Sequence, residues 1–142
     1  MTNEPPEFRL DHPCGLAIRR GLDESAAEAL PDARRRDMLT GHVWYDLPQA
    51  DIHGTRVAMS VCFVQRQLTL MQCAVADPAL YGASWDDWSE AKERLRAHAT
   101  ERWLADAGYP VGTYSWGEVW ARYHDRDASG GGGITFTTPR SE

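Results

Sequence analysis

The stretch that decides the fold runs from Ser84 to Pro110 and reads SWDDWSEAKERLRAHATERWLADAGYP. Ser84 is a favourable N-cap because its hydroxyl can accept a backbone N–H and acidic residues follow it. Gly108 and Pro110 supply a helix stop, since glycine tolerates the left-handed cap and proline cannot continue a helix. The pattern predicts a helix over residues 85–107, about 35 Å long at ~1.5 Å per residue.

The apolar residues of this helix recur at steps of three and four. Trp88, Ala91, Leu95, Ala99 and Trp103 fall on one side of the helix at that spacing. Acidic residues lead the segment and basic residues follow, an order that complements the helix dipole. We therefore expect this apolar side to pack against the core.

Three strands are predicted before the long helix. His42–Leu47 is rich in β-branched and aromatic residues and stops at a proline. Thr55–Val64 and Leu68–Ala76 are separated by three residues, which favours a hairpin. Both runs are apolar at nearly every position, so we expect central strands covered on both faces, one of them by the long helix.

Weaker patterns precede these strands. Phe8–Arg20 alternates in places and predicts one or two short strands. Gly21–Pro31 predicts a short helix with Asp23 as its N-cap. The basic run Arg34–Arg36 is typical of a solvated stretch between elements.

After the long helix the pattern turns β-like again. Thr113–Tyr123 alternates as a strand does, with Gly117 indicating a bulge or a close approach. Asp125–Gly133 has the composition of a flexible polar loop, and Ile134–Thr138 predicts a returning strand. The expected fold is α+β: a mainly antiparallel sheet of about five strands, with the long helix across one face and a short N-terminal helix.

Length, net charge and cysteine content limit the class of protein. The 142 residues fit a single domain spanning 1–142, with loose termini at 1–7 and 139–142. The net charge of −6 argues against a nucleic-acid partner and suits a basic protein partner better. No signal peptide or membrane span is evident, and three cysteines without metal or redox spacing predict a reducing cytoplasm.

No motif indicates a specific chemistry. The five histidines lack metal-ligand spacing, so we expect no metal, no cofactor and no catalytic residue. Cys62 and Cys73 fall in runs predicted to be buried, where a thiol is a poor nucleophile. The carboxylates Asp86 and Asp87 could act as an acid–base pair, but helix capping beside an apolar anchor explains them better.

Two parts of the chain resemble known families. The order of short helix, strand and hairpin within residues 8–76 looks like small bacterial β-lactamase-inhibitor-like and outer-membrane-assembly lipoprotein-like domains, which are binding modules; the chain departs from them in its missing lipoprotein signal and longer second helix. WDDWSEAKE at 85–93, WL at 103–104 and YSWGEVWARY at 114–123 are similar to small bacterial cytoplasmic proteins of polymorphic-toxin loci, which resemble immunity proteins. His124 stands where that pattern has an acidic residue.

The second resemblance implies a non-catalytic cytoplasmic protein-binding module, an immunity protein that neutralises a bacterial toxin by occluding it. A structural or assembly adaptor for a host protein is the first alternative. A small-molecule binder or small enzyme using the helix–sheet cleft is the second. For the leading hypothesis we expect the partner to contact an acidic surface formed by exposed residues at the helix start and on the final hairpin: Asp86, Asp87, Glu90, Glu118, Asp125 and Asp127.

Overall fold

The computed structural model describes residues 4–77, 88–126 and 128–137, and its class is α+β. Its two described helices are α1 (Glu24–Glu28) and α2 (Glu90–Asp106). Neither is long and apolar enough to cross a membrane. The strands are β1 (Arg9–Asp11), β2 (Ala17–Arg19), β3 (Arg34–Asp37), β4 (His42–Asp46), β5 (Ala50–Ile52), β6 (Thr55–Val64), β7 (Gln67–Val75), β8 (Gly112–Tyr114), β9 (Gly117–His124) and β10 (Ser129–Phe136).

Every described strand pair is antiparallel, as the sequence predicts. The main sheet has eight strands rather than about five, in the order β3-β4-β6-β7-β10-β9-β8, with β5 pairing to β6 beside β4. The strands β1 and β2 form a separate two-stranded sheet, which confirms the short strands predicted there. The count was too low because the edge strands β3, β5 and β8 have only three or four residues each.

The central hairpin of β6 and β7 agrees closely with the sequence prediction. The strand β6 has the predicted bounds, and β7 is shifted by one residue. Its two-residue turn holds Gln65 and Arg66 at φ 50° and 67°, the left-handed values that a tight hairpin turn requires. The expectation that both faces of these strands are covered was wrong, since burial alternates along both.

One face of the sheet carries the core. The alternate β6 residues Val57, Met59, Val61 and Phe63 are buried on it. They pack in one cluster with side chains of the N-terminal segment, of α1 and of α2: Phe8, Leu10, Leu16, Ile18, Leu22, Ala27, Trp103 and Leu104. We call this side of the sheet the covered face.

The helix α1 confirms its prediction. Asp23 is the N-cap and accepts a hydrogen bond from the Ser25 N–H at 2.9 Å. The buried carboxylate of Glu24 accepts a 2.7 Å hydrogen bond from the hydroxyl of Tyr45. Burial, and then this carboxylate, raise the pKa of Tyr45 to about 12. The contact ties α1 to the sheet.

The long helix α2 begins later than predicted. Ser89, not Ser84, is the N-cap that precedes its first residue, and its hydroxyl accepts the Lys92 N–H at 3.1 Å. Ser84 lies outside the described residues. Trp88 precedes the helix, is 39% exposed, and donates its indole N–H to the Ala128 carbonyl at 2.7 Å. Trp88 therefore ties the helix start to the turn between β9 and β10.

The predicted buried side of α2 was right only in part: Trp103 is in the core and Ala99 packs against it, but Trp88, Ala91 and Leu95 are exposed. Leu95 is 59% exposed, although it is central to the predicted apolar side. The buried residues of the helix are Glu93, Ala97, Thr100, Trp103 and Leu104. The buried side includes a carboxylate and a hydroxyl, which a search for apolar periodicity passes over.

The buried polar residues of α2 complete hydrogen bonding in the sheet. The register pairing of β10 with β7 ends at Gly132 and Cys73. Beyond that point the side chain of Glu93 accepts the Gly130 N–H at 3.1 Å, and Thr100 accepts the Val75 N–H at 3.2 Å. These side chains take the place of strand–strand bonds, because a buried amide without an acceptor is costly.

The glycine run that was predicted to be a loop lies inside a strand. Gly130–Gly133 belongs to β10, between β7 and β9. A Cβ at Gly130 would collide with the Glu93 carbonyl of α2, and one at Gly133 would collide with the Met71 carbonyl and lie 2.8 Å from the Trp120 ring. The run is glycine because a helix and an indole approach β10 from its two sides.

Residues 113–123, predicted as one strand, form the hairpin of β8 and β9. The turn lies at Ser115 and Trp116, and Tyr114 pairs with Gly117. Trp116 is buried in the core cluster, where its ring lies 6.0 Å from that of Tyr109. The sequence pattern does not reveal this turn, because the large aromatic residue Trp116 fits the alternation of a continuous strand.

Candidate functional site

The second face of the sheet is not packed against any described helix or strand. Register places its residues in rows across the strands, for example Asp46 opposite Ser60, Ser60 opposite Gln72, and Gly133 opposite Trp120. Its side chains on β4, β6 and β7 are half-buried, Trp120 is buried, and Arg34, Glu118, Arg122 and Thr135 are exposed. We call this side the open face and define it by Arg34, Arg36, Trp44, Asp46, Ala58, Ser60, Leu70, Gln72, Ala74, Glu118, Trp120, Arg122 and Thr135.

A charged network organises one side of the open face. Arg36 on β3 donates two hydrogen bonds to the Asp46 carboxylate on β4, both 2.7 Å long. The Ser60 hydroxyl on β6 donates a third, also 2.7 Å. Burial alone would raise the pKa of Asp46, but the hydrogen bonds from Arg36 and Ser60 outweigh it and hold the pKa below its usual value. The carboxylate is therefore ionised and held fixed by its three hydrogen bonds at neutral pH.

Two arginine–tryptophan pairs border the open face. The guanidinium of Arg36 lies 5.7 Å from the ring centre of Trp44, and that of Arg122 lies 4.8 Å from the ring centre of Trp120. Trp120 leans over β10 and donates its indole N–H to Thr135 at 3.2 Å. Between the pairs lie smaller side chains of β6 and β7, so the centre of the face is lower than its borders.

A depression of about 280 Å³ opens beside Trp120. Its lining includes Ser60 and Gln72 from the open face, His124 from the end of β9, and Arg96 from α2. The Nε2 atom of His124 is buried and has no hydrogen-bond partner among the described residues. The depression thus combines an aromatic wall with several polar groups, the composition typical of binding sites.

The charge of the open face differs from that of the chain. The face carries three arginines and two carboxylates, which gives +1 with histidine neutral, against −6 for the whole protein. The three arginines are Arg34, Arg36 and Arg122, and the two carboxylates are Asp46 and Glu118. The acidic excess therefore lies elsewhere on the protein.

A second concavity lies between one end of α2 and the sheet. This cleft of about 910 Å³ lies between the C-terminal half of α2, the turn between β5 and β6, and the end of β7. Its polar lining includes Gln49, His53, Arg56, Arg102 and Asp106. It is larger than the depression on the open face and has the location expected for a helix–sheet cleft.

Three of the acidic residues predicted to bind the partner, Glu90, Glu118 and Asp125, lie in the described part of the chain. Glu90 is the first residue of α2, and its carboxylate accepts a 2.9 Å hydrogen bond from Arg94. The same guanidinium lies 4.6 Å from the ring centre of Tyr123, near Asp125. Glu90 and Asp125 are therefore close, with a cation between them that offsets part of their charge.

Glu118 is separated from that group. It lies near the other end of β9, on the open face, opposite Thr135 of β10. The seven residues from Glu118 to Asp125 span about 23 Å at ~3.3 Å per residue. The remaining predicted residues, Asp86, Asp87 and Asp127, lie outside the described part of the chain.

Two of the three thiols are buried, and the described carboxylates, thiols and imidazoles are not grouped as metal ligands. Burial raises the pKa of Cys73 to about 12 and also raises that of Cys62, so both thiols are protonated at neutral pH. Within residues 4–77, 88–126 and 128–137, no group of three or more His, Cys, Asp or Glu side chains is placed to hold a metal ion.

Sequence reasoning missed the central residues of the open face. Ser60 and Gln72 are polar residues within otherwise apolar strands, and each is flanked by buried neighbours. That interruption was the available signal, since a polar residue at an alternate position indicates a face that is not in the core. Comparison of the chain with protein-family models, curated proteins and solved structures found no match.

Proposed function

We propose that this protein is a protein-binding module whose docking surface is the open face of the sheet. The observation that carries the proposal is the open face itself, a surface six strands wide that is not packed against any described helix or strand. A domain of this type normally buries one face of its sheet and leaves the other to water. A water-facing side that carries tryptophans and fixed polar groups is suited to binding.

The composition of the open face supports a protein partner. Tryptophan and arginine are the residue types most enriched among binding hot spots, and the face carries them as two pairs, in which Trp44 is half-buried and Trp120 is buried beside the exposed Arg122. The network around Asp46 is already formed without a partner, so little order has to be gained on binding. The small side chains between the pairs leave room for groups of the partner.

The proposed role is that of an immunity protein, which neutralises a toxin by covering its active site or substrate groove. The support is the resemblance of residues 114–123, YSWGEVWARY, to proteins of toxin loci. Within that stretch Glu118, Trp120 and Arg122 alternate onto the open face, whereas Trp116 belongs to the core. The residues that carry the resemblance thus include part of the proposed docking surface.

A second candidate function is supported by the cleft beside α2. Its volume of about 910 Å³ is in the range of small-molecule sites, and its lining mixes Trp103 with polar and charged groups. A small-molecule binder or enzyme would use this cleft and not the open face. An assembly adaptor with a host partner, in contrast, would use the open face as an immunity protein does.

The test pairs two glutamine-to-arginine variants. Gln72 lies at the centre of the open face, and Gln49 lies on the rim of the cleft. The chain is co-expressed with the product of each neighbouring toxin-like gene, and host survival and binding by calorimetry are measured. We expect Gln72→Arg to abolish protection and weaken binding at least ~10-fold by placing a long charged side chain in the interface, and Gln49→Arg to behave as wild type.

Each alternative predicts a different result. An adaptor would bind a host protein through Gln72 while protecting against no toxin. A cleft-binding protein would respond to Gln49→Arg and not to Gln72→Arg. Binding that neither variant changes would contradict both surfaces. Circular dichroism and thermal melting of the two variants establish that a loss of binding is not a loss of folding.

A further inference from the structure

We infer that the open face binds an acidic segment of its partner, with carboxylates placed to contact Arg34 and Arg122. The inference rests on the proposed docking surface and adds the chemistry of the partner. It reverses what the total charge of −6 suggests, since that charge favours a basic partner. The local charge that a partner meets at the interface is that of the docking surface.

The first observation concerns the three arginines of the face. Arg36 is fully engaged, since its guanidinium donates two hydrogen bonds to Asp46. Arg34 and Arg122 are exposed, and neither forms an ion pair with a carboxylate in the described part of the chain. Arg122 is nevertheless held in place, because it stacks on Trp120. An ordered guanidinium without an anion is a strong site for a carboxylate.

The second observation concerns the acceptors that a partner would meet. Of the two carboxylates on the face, Asp46 already accepts three hydrogen bonds, from Arg36 and Ser60. It has little capacity left for a cation of the partner. Glu118 alone remains, toward the edge formed by β8. A basic segment would therefore find one carboxylate and two guanidinium groups without an ion pair, of which Arg34 lies opposite Asp46 and shares its charge with Arg36.

The third observation is the depression beside Trp120, near the end of β9. Its lining includes Gln72 and His124, whose Nε2 atom has no hydrogen-bond partner among the described residues. In the tautomer with hydrogen on Nε2, that atom donates a hydrogen bond to a carboxylate or carbonyl oxygen, as the amide nitrogen of Gln72 does. The depression can thus accept an oxygen-bearing side chain on the side of the face that carries Arg122.

The spacing of the arginines limits the shape of the segment. Arg34 lies on β3 and Arg122 on β9, five strand spacings apart in the sheet. At ~4.8 Å per spacing the two strands are about 24 Å apart. A helix of about 16 residues has this length. We therefore expect a partner segment that crosses the strands and carries acidic residues near both of its ends.

The test uses random 20-residue peptides displayed on phage, selected against the full chain at moderate salt. We expect the selected peptides to be enriched in Asp and Glu and to bind more weakly as salt rises. Arg34→Glu and Arg122→Glu should each weaken their binding about 3- to 10-fold, in the range of an interfacial charge pair. Arg102→Glu is the matched control, an exposed arginine of α2 at the cleft.

The outcomes separate this inference from the function on which it rests. Peptides that lose binding to Gln72→Trp, a bulky variant without charge, but are not acidic, and that tolerate both arginine reversals, would overturn the inference and leave the docking surface standing. Peptides that bind Gln72→Trp as well as wild type would overturn the docking surface itself. Charge reversal at Arg122 can disturb the fold through Trp120. Arg34 lies on the exposed edge strand, so a loss of binding in Arg34→Glu reports a lost contact and not a lost fold.

Discussion

The covered and open faces of the sheet are built from the same strands but differ in composition and burial. In β6 the odd-numbered residues from Val57 to Phe63 enter the core, and the even-numbered residues from Ala58 to Val64 turn to the open face. The first set is apolar and almost fully buried, whereas the second is small or polar and half-buried with the exception of Cys62. The open-face residues of β6 can therefore change with little effect on the fold, which is what a binding surface needs.

The largest expected effect is on the covered face. Phe63 is 0% exposed and makes an edge-on ring contact with Tyr45 at 5.6 Å. Phe63→Ala should lower the free energy of unfolding by about 3–5 kcal/mol, since it removes a buried ring and leaves a cavity. The measurement is urea denaturation at pH 7. Gln72→Ala on the open face is the control, expected within ~0.5 kcal/mol of wild type, and equal losses in the two variants would contradict the distinction between the faces.

The next effect concerns β10, where the neighbouring strand and an indole ring both constrain one residue. Gly133→Ala should lower the free energy of unfolding by about 2–3 kcal/mol, because the added methyl group overpacks the site between Trp120 and the Met71 carbonyl. Thermal melting and the fluorescence of Trp120 would report it. Ser129→Ala, at the start of the same strand, should have little effect. A neutral Gly133→Ala would show that β10 can move away from its neighbours.

A smaller and pH-dependent effect is expected at Asp46 on the open face. Asp46→Asn should lower the free energy of unfolding by about 1–2 kcal/mol at pH 7, because it weakens hydrogen bonds to a charged group. The folded-state pKa of Asp46 lies below its usual value, so its contribution is present above about pH 4 and is lost as pH falls through the folded pKa. Denaturation measured from pH 7 to pH 3 should show the wild type approaching the variant, and a gap that is constant with pH would contradict the assignment.

The smallest effect is expected on the outer side of α2. Leu95→Ala should change the free energy of unfolding by less than ~0.5 kcal/mol, because Leu95 is exposed. Leu104→Ala, at a fully buried position of the same helix, should cost about 3 kcal/mol. Chemical denaturation of the two variants compares them directly. A large loss of unfolding free energy in Leu95→Ala would indicate that the helix packs through the side that the apolar spacing predicts.

The sequence predicted those parts of the fold whose patterns are local. Thr55–Val64 was found because a long apolar run between turn residues has few other interpretations. Asp23 was found because an N-cap depends on its own side chain and the next few residues. The glycines of β10 were missed because their reason is a neighbour distant in the chain. Composition alone assigns such a run to a loop.

The candidate site was less predictable than the fold. Asp46, Ser60 and Gln72 form one row of the face only after β4, β6 and β7 pair in register, and register is a property of the whole sheet. The run Arg34–Arg36 was interpreted as solvated, yet it forms β3 and supplies a fixed guanidinium to that row. The inferred acidic partner and the total charge point in opposite directions for a similar reason, because total charge sums over surfaces that no single partner contacts at once.

The order of strands in the sheet also has a consequence for folding kinetics. In the described sheet every strand before α2 lies on one side, every strand after it lies on the other, and the pairing of β7 with β10 is the seam. Pairings within each half join residues close in the chain, whereas the seam joins Cys73 to Gly132. Closing that long loop carries the largest entropic cost. The seam should therefore form late, and mutations there should accelerate unfolding more than they slow folding.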